Sequence, residues 1–240
     1  MTARSPLACR QWQGARPYQE DSFGTLELAP AALLMVLADG MGGHAGGAEA
    51  SRIAVDAFLR GFPGARGTVE ARLRGCLAAA VSELRAREAG DRRLRGMGTT
   101  IVAALHDRRG TDWLSVGDSP MWLFAGGALL RLNADHSMAP LLAEAARSDP
   151  RRHMLRSAVT ARAPELVDCG YRHGRLLPGE FLLIASDGIE TLTEEEIAGH
   201  LRAAEGGVEA AADALMDGVR AAAGPHQDNA TFLLLSGAEP

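Results

Sequence analysis

The chain has 240 residues, 47% of them hydrophobic, and a formal net charge of −5. That length supports one sizeable core, and the acidic balance offers no basic footprint for nucleic acid or an anionic membrane surface. All 25 basic residues are arginine, so Schiff-base lysines, a P-loop lysine and the strand lysine of protein kinases are excluded.

A codon preference for arginine accounts for the bias and leaves its consequence intact: bound phosphate has to be held by arginine, backbone N–H groups or metal. Cys9, Cys76 and Cys169 are odd in number, far apart and outside any C-x-x-C arrangement. They indicate neither a disulfide framework nor a thiolate zinc site, and suit a reducing cytoplasm. No apolar run is long enough for a membrane span, and Met1 to Arg10 lacks the hydrophobic segment of a signal peptide. A cytoplasmic monomer without a membrane segment or a nucleic-acid partner is the expectation.

In chain order, two strands are predicted between Cys9 and Leu28, joined by the polar connection Gly14 to Ser22. Its Arg16, Glu20 and Asp21 are either site residues or the charges of an ordinary hairpin loop. Leu33 to Ala38 is an apolar strand that runs into Asp39 and then Gly40, Gly42 and Gly43. A carboxylate at a buried strand end is costly unless it is paired or bound to a cation, and glycines let a backbone carbonyl approach the same ion. An acidic turn capping the next helix is the competing reading. Helical spacing follows from Gly47 to Arg60, ended by Gly61-Phe62-Pro63-Gly64. It returns from Thr68 to Gly90, with Val69, Leu73, Leu77, Ala80, Val81 and Leu84 on one stripe.

Thr99 to His106 and Thr111 to Val116 read as a hairpin around Asp107 to Gly110, and Met121 to Phe124 and Ala128 to Leu132 as another around Gly126-Gly127. Asp118 is a further carboxylate at a strand end. Asn133 to Ser157 is polar and proline-interrupted, with helical spacing at Leu141, Leu142 and Ala145, and reads as an excursion from the core. Phe181 to Ala185, followed by Ser186-Asp187-Gly188, repeats the arrangement at Asp39. Helices are predicted at Thr193 to Ala204, opened by a Thr193 and Glu196 capping box, and at Val208 to Ala223. Asp228-Asn229 then leads into a last strand, Ala230 to Leu235.

Asp21, Asp39, Asp187 and Asp228 thus share one context, the junction of a predicted strand with a loop. Carboxylate, carbonyl and water oxygens are the ligands of Mg²⁺ and Mn²⁺, whereas zinc or copper would call for histidine or cysteine.

Seven segments follow one another in the order and spacing of the metal-dependent serine/threonine protein phosphatases of type 2C. They are Arg16 to Ser22, Leu37 to His44, Gly96-Met97-Gly98-Thr99-Thr100, Val116-Gly117-Asp118-Ser119, Asp135-His136-Ser137, Ala185-Ser186-Asp187-Gly188 and Asp228-Asn229-Ala230-Thr231. Over nearly its whole length the chain resembles the compact bacterial branch of that family. The resemblance implies an α+β fold, a four-layer α-β-β-α sandwich with two antiparallel sheets flanked by helices. It implies one catalytic domain over residues 1–240, with a flap-like excursion at about 137–157.

A dinuclear site is implied with it, holding two Mn²⁺ or Mg²⁺ ions tightly and a third more weakly. Asp39 resembles the bridging and catalytic ligand, Gly40 the carbonyl ligand, and Asp187 and Asp228 the carboxylates of the first metal. Asp21 and Glu20 match the acidic pair around metal-bound waters, Asp118 the residue supporting the weaker ion, and Asn229 a residue behind these ligands. Arg16 resembles the phosphate clamp, and its planar fork suits a phosphate dianion. Phosphorylated proteins, the targets of a Ser/Thr kinase, would be hydrolysed at phosphoserine and phosphothreonine by direct attack of a metal-bridging water.

Departures from the family pattern leave questions open. Met41 stands where eukaryotic relatives carry histidine, so the proton for the leaving group comes from His44, His136, His153 or metal-bound water. Gln19 replaces the usual asparagine, and Pro120 the arginine common after Gly-Asp-Ser. Arg147, Arg151, Arg152 and Arg156 in the flap either recruit acidic phosphopeptides or line a solvated helix face. Three other readings compete. Gly40 to Ala45 fits the G-x-G-x-x-A dinucleotide fingerprint, but a second helix follows where a strand is needed. Cys169 to Arg175 fits the C-x₅-R spacing of tyrosine phosphatases, yet runs into a turn instead of a helix. A phosphoprotein-binding pseudophosphatase is the non-enzymatic alternative, and retention of every core carboxylate speaks against it.

Overall fold

The computed structural model describes residues 6–28, 31–41, 45–142 and 149–237. Among these, strands β1 (Leu7–Trp12), β2 (Asp21–Leu28) and β3 (Ala32–Met41) precede helices α1 (Ala45–Gly61) and α2 (Val69–Gly90). Then come β4 (Gly98–Thr99), β5 (Ile101–Asp107), β6 (Gly110–Val116), β7 (Met121–Ala125), β8 (Ala128–Arg131), β9 (Asp168–His173) and β10 (Phe181–Ala185). Helices α3 (Glu194–Ala203) and α4 (Val208–Ala222) lead to β11 (Ala230–Ser236). The strands form a five-stranded sheet in the order β1-β11-β10-β7-β8 and a six-stranded sheet, β2-β3-β5-β6-β9 with β4 on β3. Every pairing in both is antiparallel.

Side-chain alternation along the strands builds the four layers. In β3, Leu34, Val36 and Ala38 pack against the apolar faces of α1 and α2, whereas Leu33, Met35 and Leu37 meet the other sheet. In β10 and β11, Leu183, Phe232 and Leu234 pack against α3 and α4, whereas Leu182, Ile184, Leu233 and Leu235 fill the space between the sheets. The α-β-β-α sandwich implied by the resemblance is the architecture observed. Helix ends follow their local signals: Thr68 Oγ1 accepts from Ala71 N–H at 3.2 Å, and Thr193 and Glu196 close the expected capping box.

One segment differs from the reading of the sequence. β9 was not anticipated, because Asp168-Cys169-Gly170-Tyr171-Arg172-His173 is polar for a strand. It lies at the edge of its sheet, and Gly170 leaves room for the Trp113 ring, which a Cβ there would approach to 2.1 Å. Where the flap has helical spacing, the described residues hold short 3₁₀ turns at 139–141 and 150–153. Ala145 and Arg147 lie outside the described residues, as do Gly42, Gly43 and His44.

Candidate active site

Asp39 continues the series Leu33, Met35, Leu37, so its carboxylate is aimed between the sheets at the end of β3. Asp21, the first residue of β2, lies directly opposite it in register. Like charges directly opposite one another on neighbouring strands are destabilising. The five-stranded sheet delivers its share from the facing layer, with Asp187 just after β10 and Asp228 just before β11. Ser186 Oγ donates to Asp21 Oδ2 at 2.9 Å and accepts from Thr231 N–H at 3.0 Å, which joins the two sheets at this point. Asp118 enters from the turn after β6.

Backbone fastenings hold each group. Thr99 and Thr100 clasp Asp39: the Thr100 N–H and the Thr99 hydroxyl each donate to the Asp39 carbonyl at 2.8 Å, and the Asp39 N–H donates to Thr100 Oγ1 at 3.0 Å. The Gly96 to Thr100 segment is therefore support for the aspartate. Gly40 donates its N–H to the Glu20 carbonyl at 3.1 Å, and a Cβ on Gly40 would stand 2.2 Å from the Gly47 carbonyl oxygen. The start of α1 can pack here only because both positions are glycine. Gly117 has φ +108° and would drive a Cβ into Thr100, so the Asp118 turn also depends on a missing side chain.

The Arg16 loop is laced to the approach of β11. Asn229 accepts from Glu20 N–H at 2.7 Å and donates to the carbonyls of Gln13 at 2.8 Å and Tyr18 at 3.0 Å, while Ala15 N–H donates to the Gln227 carbonyl at 2.9 Å. Arg16 forms an ion pair with Asp228. Gln19 accepts from Asp21 N–H at 2.9 Å, so its carbonyl supports the acidic residue.

These groups line one cleft of about 470 Å³, which brings together Arg16, Glu20, Asp39, Gly40, Asp118, Asp187, Asp228 and Asn229. Asp21 lies behind it, 5% exposed. Met41, Thr100, His153, Met154 and Leu155 complete the wall. Next to the cleft is an annex of about 400 Å³, with His153, Asp187 and Asp228 in common.

Crowding of acids shows in their protonation. Burial, reinforced by Asp187, Asp21, Asp118 and Asp228, raises Asp39 well above the usual carboxylate range. Burial pushes Asp21 up to about 7 against hydrogen bonds from Thr231 and Ser186, and burial with Asp187 pushes Asp118 up to about 7. Asp187 is raised by burial and by Asp228. Among the described residues, Asp21 Oδ1 and Asp187 Oδ1 are shut off from solvent without a hydrogen-bond partner. Buried, unpartnered carboxylate oxygens around a cleft are what a hard cation satisfies, and the oxygen donor set fits Mg²⁺ or Mn²⁺. Among the described residues, no group of three or more histidine, cysteine or acidic side chains is gathered closely enough to hold a metal ion by itself.

Reading the sequence missed some of the supports. Arg131, on β8, donates to the Asp118 carbonyl at 2.6 Å and lies 3.6 Å from Glu190. Burial pushes Glu190 up to about 7, with Arg131 opposing. No spacing signal relates Arg131 to Asp118, since the contact exists only once β7 and β8 pair. Pro120, where the family often has arginine, uses its carbonyl to accept from Ala185 N–H at 3.0 Å, tying this turn to β10. His136 is structural, its Nδ1 accepting from Gly117 N–H at 3.2 Å. In the flap, Arg151 is held by Asp149 at 2.6 Å within its own turn, so its charge is locally answered.

Comparison with known proteins adds the family. A family-wide sequence model of protein phosphatase 2C matches residues 15–223. The chain is 28% identical over 191 residues to a putative protein phosphatase 2C-type from Streptococcus pyogenes, covering 75% of this chain and 77% of that protein. It is 31% identical over 175 residues to the serine/threonine protein phosphatase PstP of Mycobacterium tuberculosis, covering 69% of this chain and a third (33%) of that longer protein. Among solved structures it is similar to the catalytic domain of PstP in complex with two manganese ions, with a TM-score of 0.80, 29% identity, and 97% of this chain and 98% of that chain covered.

Proposed function

This chain belongs to the protein phosphatase 2C family, the metal-dependent protein phosphatases, and we propose that it hydrolyses phosphoserine and phosphothreonine in proteins by direct attack of water on phosphorus. The observation that carries the reading is the convergence of carboxylates from both sheets on one cleft that also holds Arg16. Asp39, Asp187, Asp228 and the Gly40 carbonyl would hold two Mn²⁺ or Mg²⁺ ions, with Asp21 and Glu20 around their waters and Asp118 at a third, weaker ion. Bound there, such ions supply an activated water and neutralise charge developing on the phosphate. Arg16 orients the phosphate dianion, and Asn229 fixes the loop that carries Arg16.

We further read residues 1–240 as one catalytic domain, working as a cytoplasmic monomer on the products of a Ser/Thr kinase. In support, no helix among the described residues is long and apolar enough to cross a membrane. A pseudophosphatase would not need the unpartnered carboxylate oxygens to be preserved.

The test is hydrolysis of a phosphothreonine peptide with Mn²⁺, with and without excess chelator, alongside Mn²⁺ titration by calorimetry. Chelator should abolish turnover, and Asp187→Asn should remove a tight ion while leaving the fold intact by circular dichroism. Full turnover in chelator, or wild-type metal binding by the variant, would sink the assignment.

A further inference from the structure

We propose that His153 is a catalytic residue of this reaction, the proton donor to the departing serine or threonine oxygen; the inference rests on the function proposed above. When water displaces the side-chain oxygen from phosphorus, the electron pair of the P–O bond leaves on that oxygen. An alkoxide is a poor leaving group unless a proton reaches it as the bond breaks.

Among the described residues, few groups lining the cleft can give up a proton. Arg16 does not deprotonate in proteins. Asp39, Asp118, Asp187 and Asp228 have to be deprotonated to hold cations. Glu20 Oε1 is turned against the start of α1, where a Cβ on Gly47 would stand 2.4 Å from it. The Thr100 hydroxyl, a weak acid, is placed between the Asp39 N–H at 3.0 Å and Ser119 Oγ at 2.7 Å. Met41, Met154 and Leu155 have nothing to give. Among the described side chains of the cleft that leaves His153, which lines both the cleft and its annex and stands as the protein's own donor in place of a metal-bound water. His226 lines the annex without reaching the cleft wall, and the buried His136 already uses Nδ1 on Gly117.

The backbone that carries His153 is also held in place. The Asp149 carboxylate caps the 3₁₀ turn 150–153 by accepting from Arg151 N–H at 2.9 Å. Met154 N–H donates to the Arg151 carbonyl at 2.9 Å, and Met138 N–H donates to the Met154 carbonyl at 2.9 Å. An isolated bridge between Ser137 and Leu155 closes the base of the flap immediately beyond the histidine. The imidazolium gives its N–H proton to the leaving oxygen and releases a free hydroxyl. The neutral ring then regains a proton from solvent, matching the one lost when water became part of phosphate.

The experiment compares a phosphothreonine peptide with p-nitrophenyl phosphate, whose leaving group departs as a stable anion, for wild type, His153→Gln and His153→Ala at saturating Mn²⁺. Turnover of the peptide should fall about 10²-fold in both variants, and turnover of the nitrophenyl ester far less. Mn²⁺ affinity by calorimetry should stay at the wild-type value. An equal fall on both substrates, unchanged peptide turnover, or weakened Mn²⁺ binding would each overturn the role. A wild type inactive on both substrates would overturn the phosphatase reading, and this role with it.

Discussion

Arg16 forms an ion pair with Asp228, so its guanidinium sits where a carboxylate, and by the same fork a phosphate, can be met. Replacing it by alanine removes charge-assisted hydrogen bonds of about 1.5–3 kcal/mol, which corresponds to a KM raised by about tenfold or more. Metal affinity should not fall, because the variant loses a cation beside Asp228. Steady-state kinetics and calorimetry check the two halves, and an unchanged KM would remove Arg16 from phosphate binding. At this scale the aspartates were legible because each is an acid where an apolar run meets a loop. Arg131, Ser186 and Glu190 were not recognised as supports. What gives them meaning is proximity across the sandwich, as when Ser186 reaches Asp21 at 2.9 Å, and linear spacing does not record it.

At the N-terminus of α1, helix propensity and site geometry point in opposite directions. Gly47→Ala in an ordinary helix would stabilise by about 1 kcal/mol. Here the new Cβ would stand 2.4 Å from Glu20 Oε1 and 2.9 Å from the Gly40 carbonyl carbon, so the helix start or the β3 end has to shift. The variant should therefore lose Mn²⁺ affinity and lower the melting temperature; a stabilised variant with wild-type metal binding would show that the contact is loose. The same contrast explains what the sequence reveals about elements. α1, α2, β3, β10 and β11 carry long periodic or apolar runs and were legible to within a few residues. β9 was hidden because its Gly170 makes space for a ring on β6, a requirement of packing and not of strand propensity. Of the flap's helical spacing, Leu141 lies in a short 3₁₀ turn and Ala145 falls outside the described residues.

Across the whole molecule, the acidic cleft makes stability depend on pH and metal together. Asp21 and Asp118, at about 7, and Asp39 and Asp187, also raised, bind protons in the folded state at pH values where the unfolded chain has released them. Their contribution is present at low pH and is lost as pH climbs from about 4, the ordinary carboxylate value, through the raised folded values. A bound cation replaces those protons. The gain in melting temperature from saturating Mg²⁺ should accordingly grow between about pH 5 and 7.5, and a gain that stays flat would count against metal ligation by these groups. Chain connectivity adds a consequence in time. β1 finds its partner in β11, and Asn229 reaches back to the Gln13 carbonyl across 216 residues. Contacts of such separation close slowly, so the loop bearing Arg16 cannot be seated against Asp228 until the last strand has docked. During synthesis the six-stranded sheet has all its strands before β11 emerges. Catalytic competence thus waits on β11, and a nascent chain that lacks it is kept silent by the order in which its parts arrive.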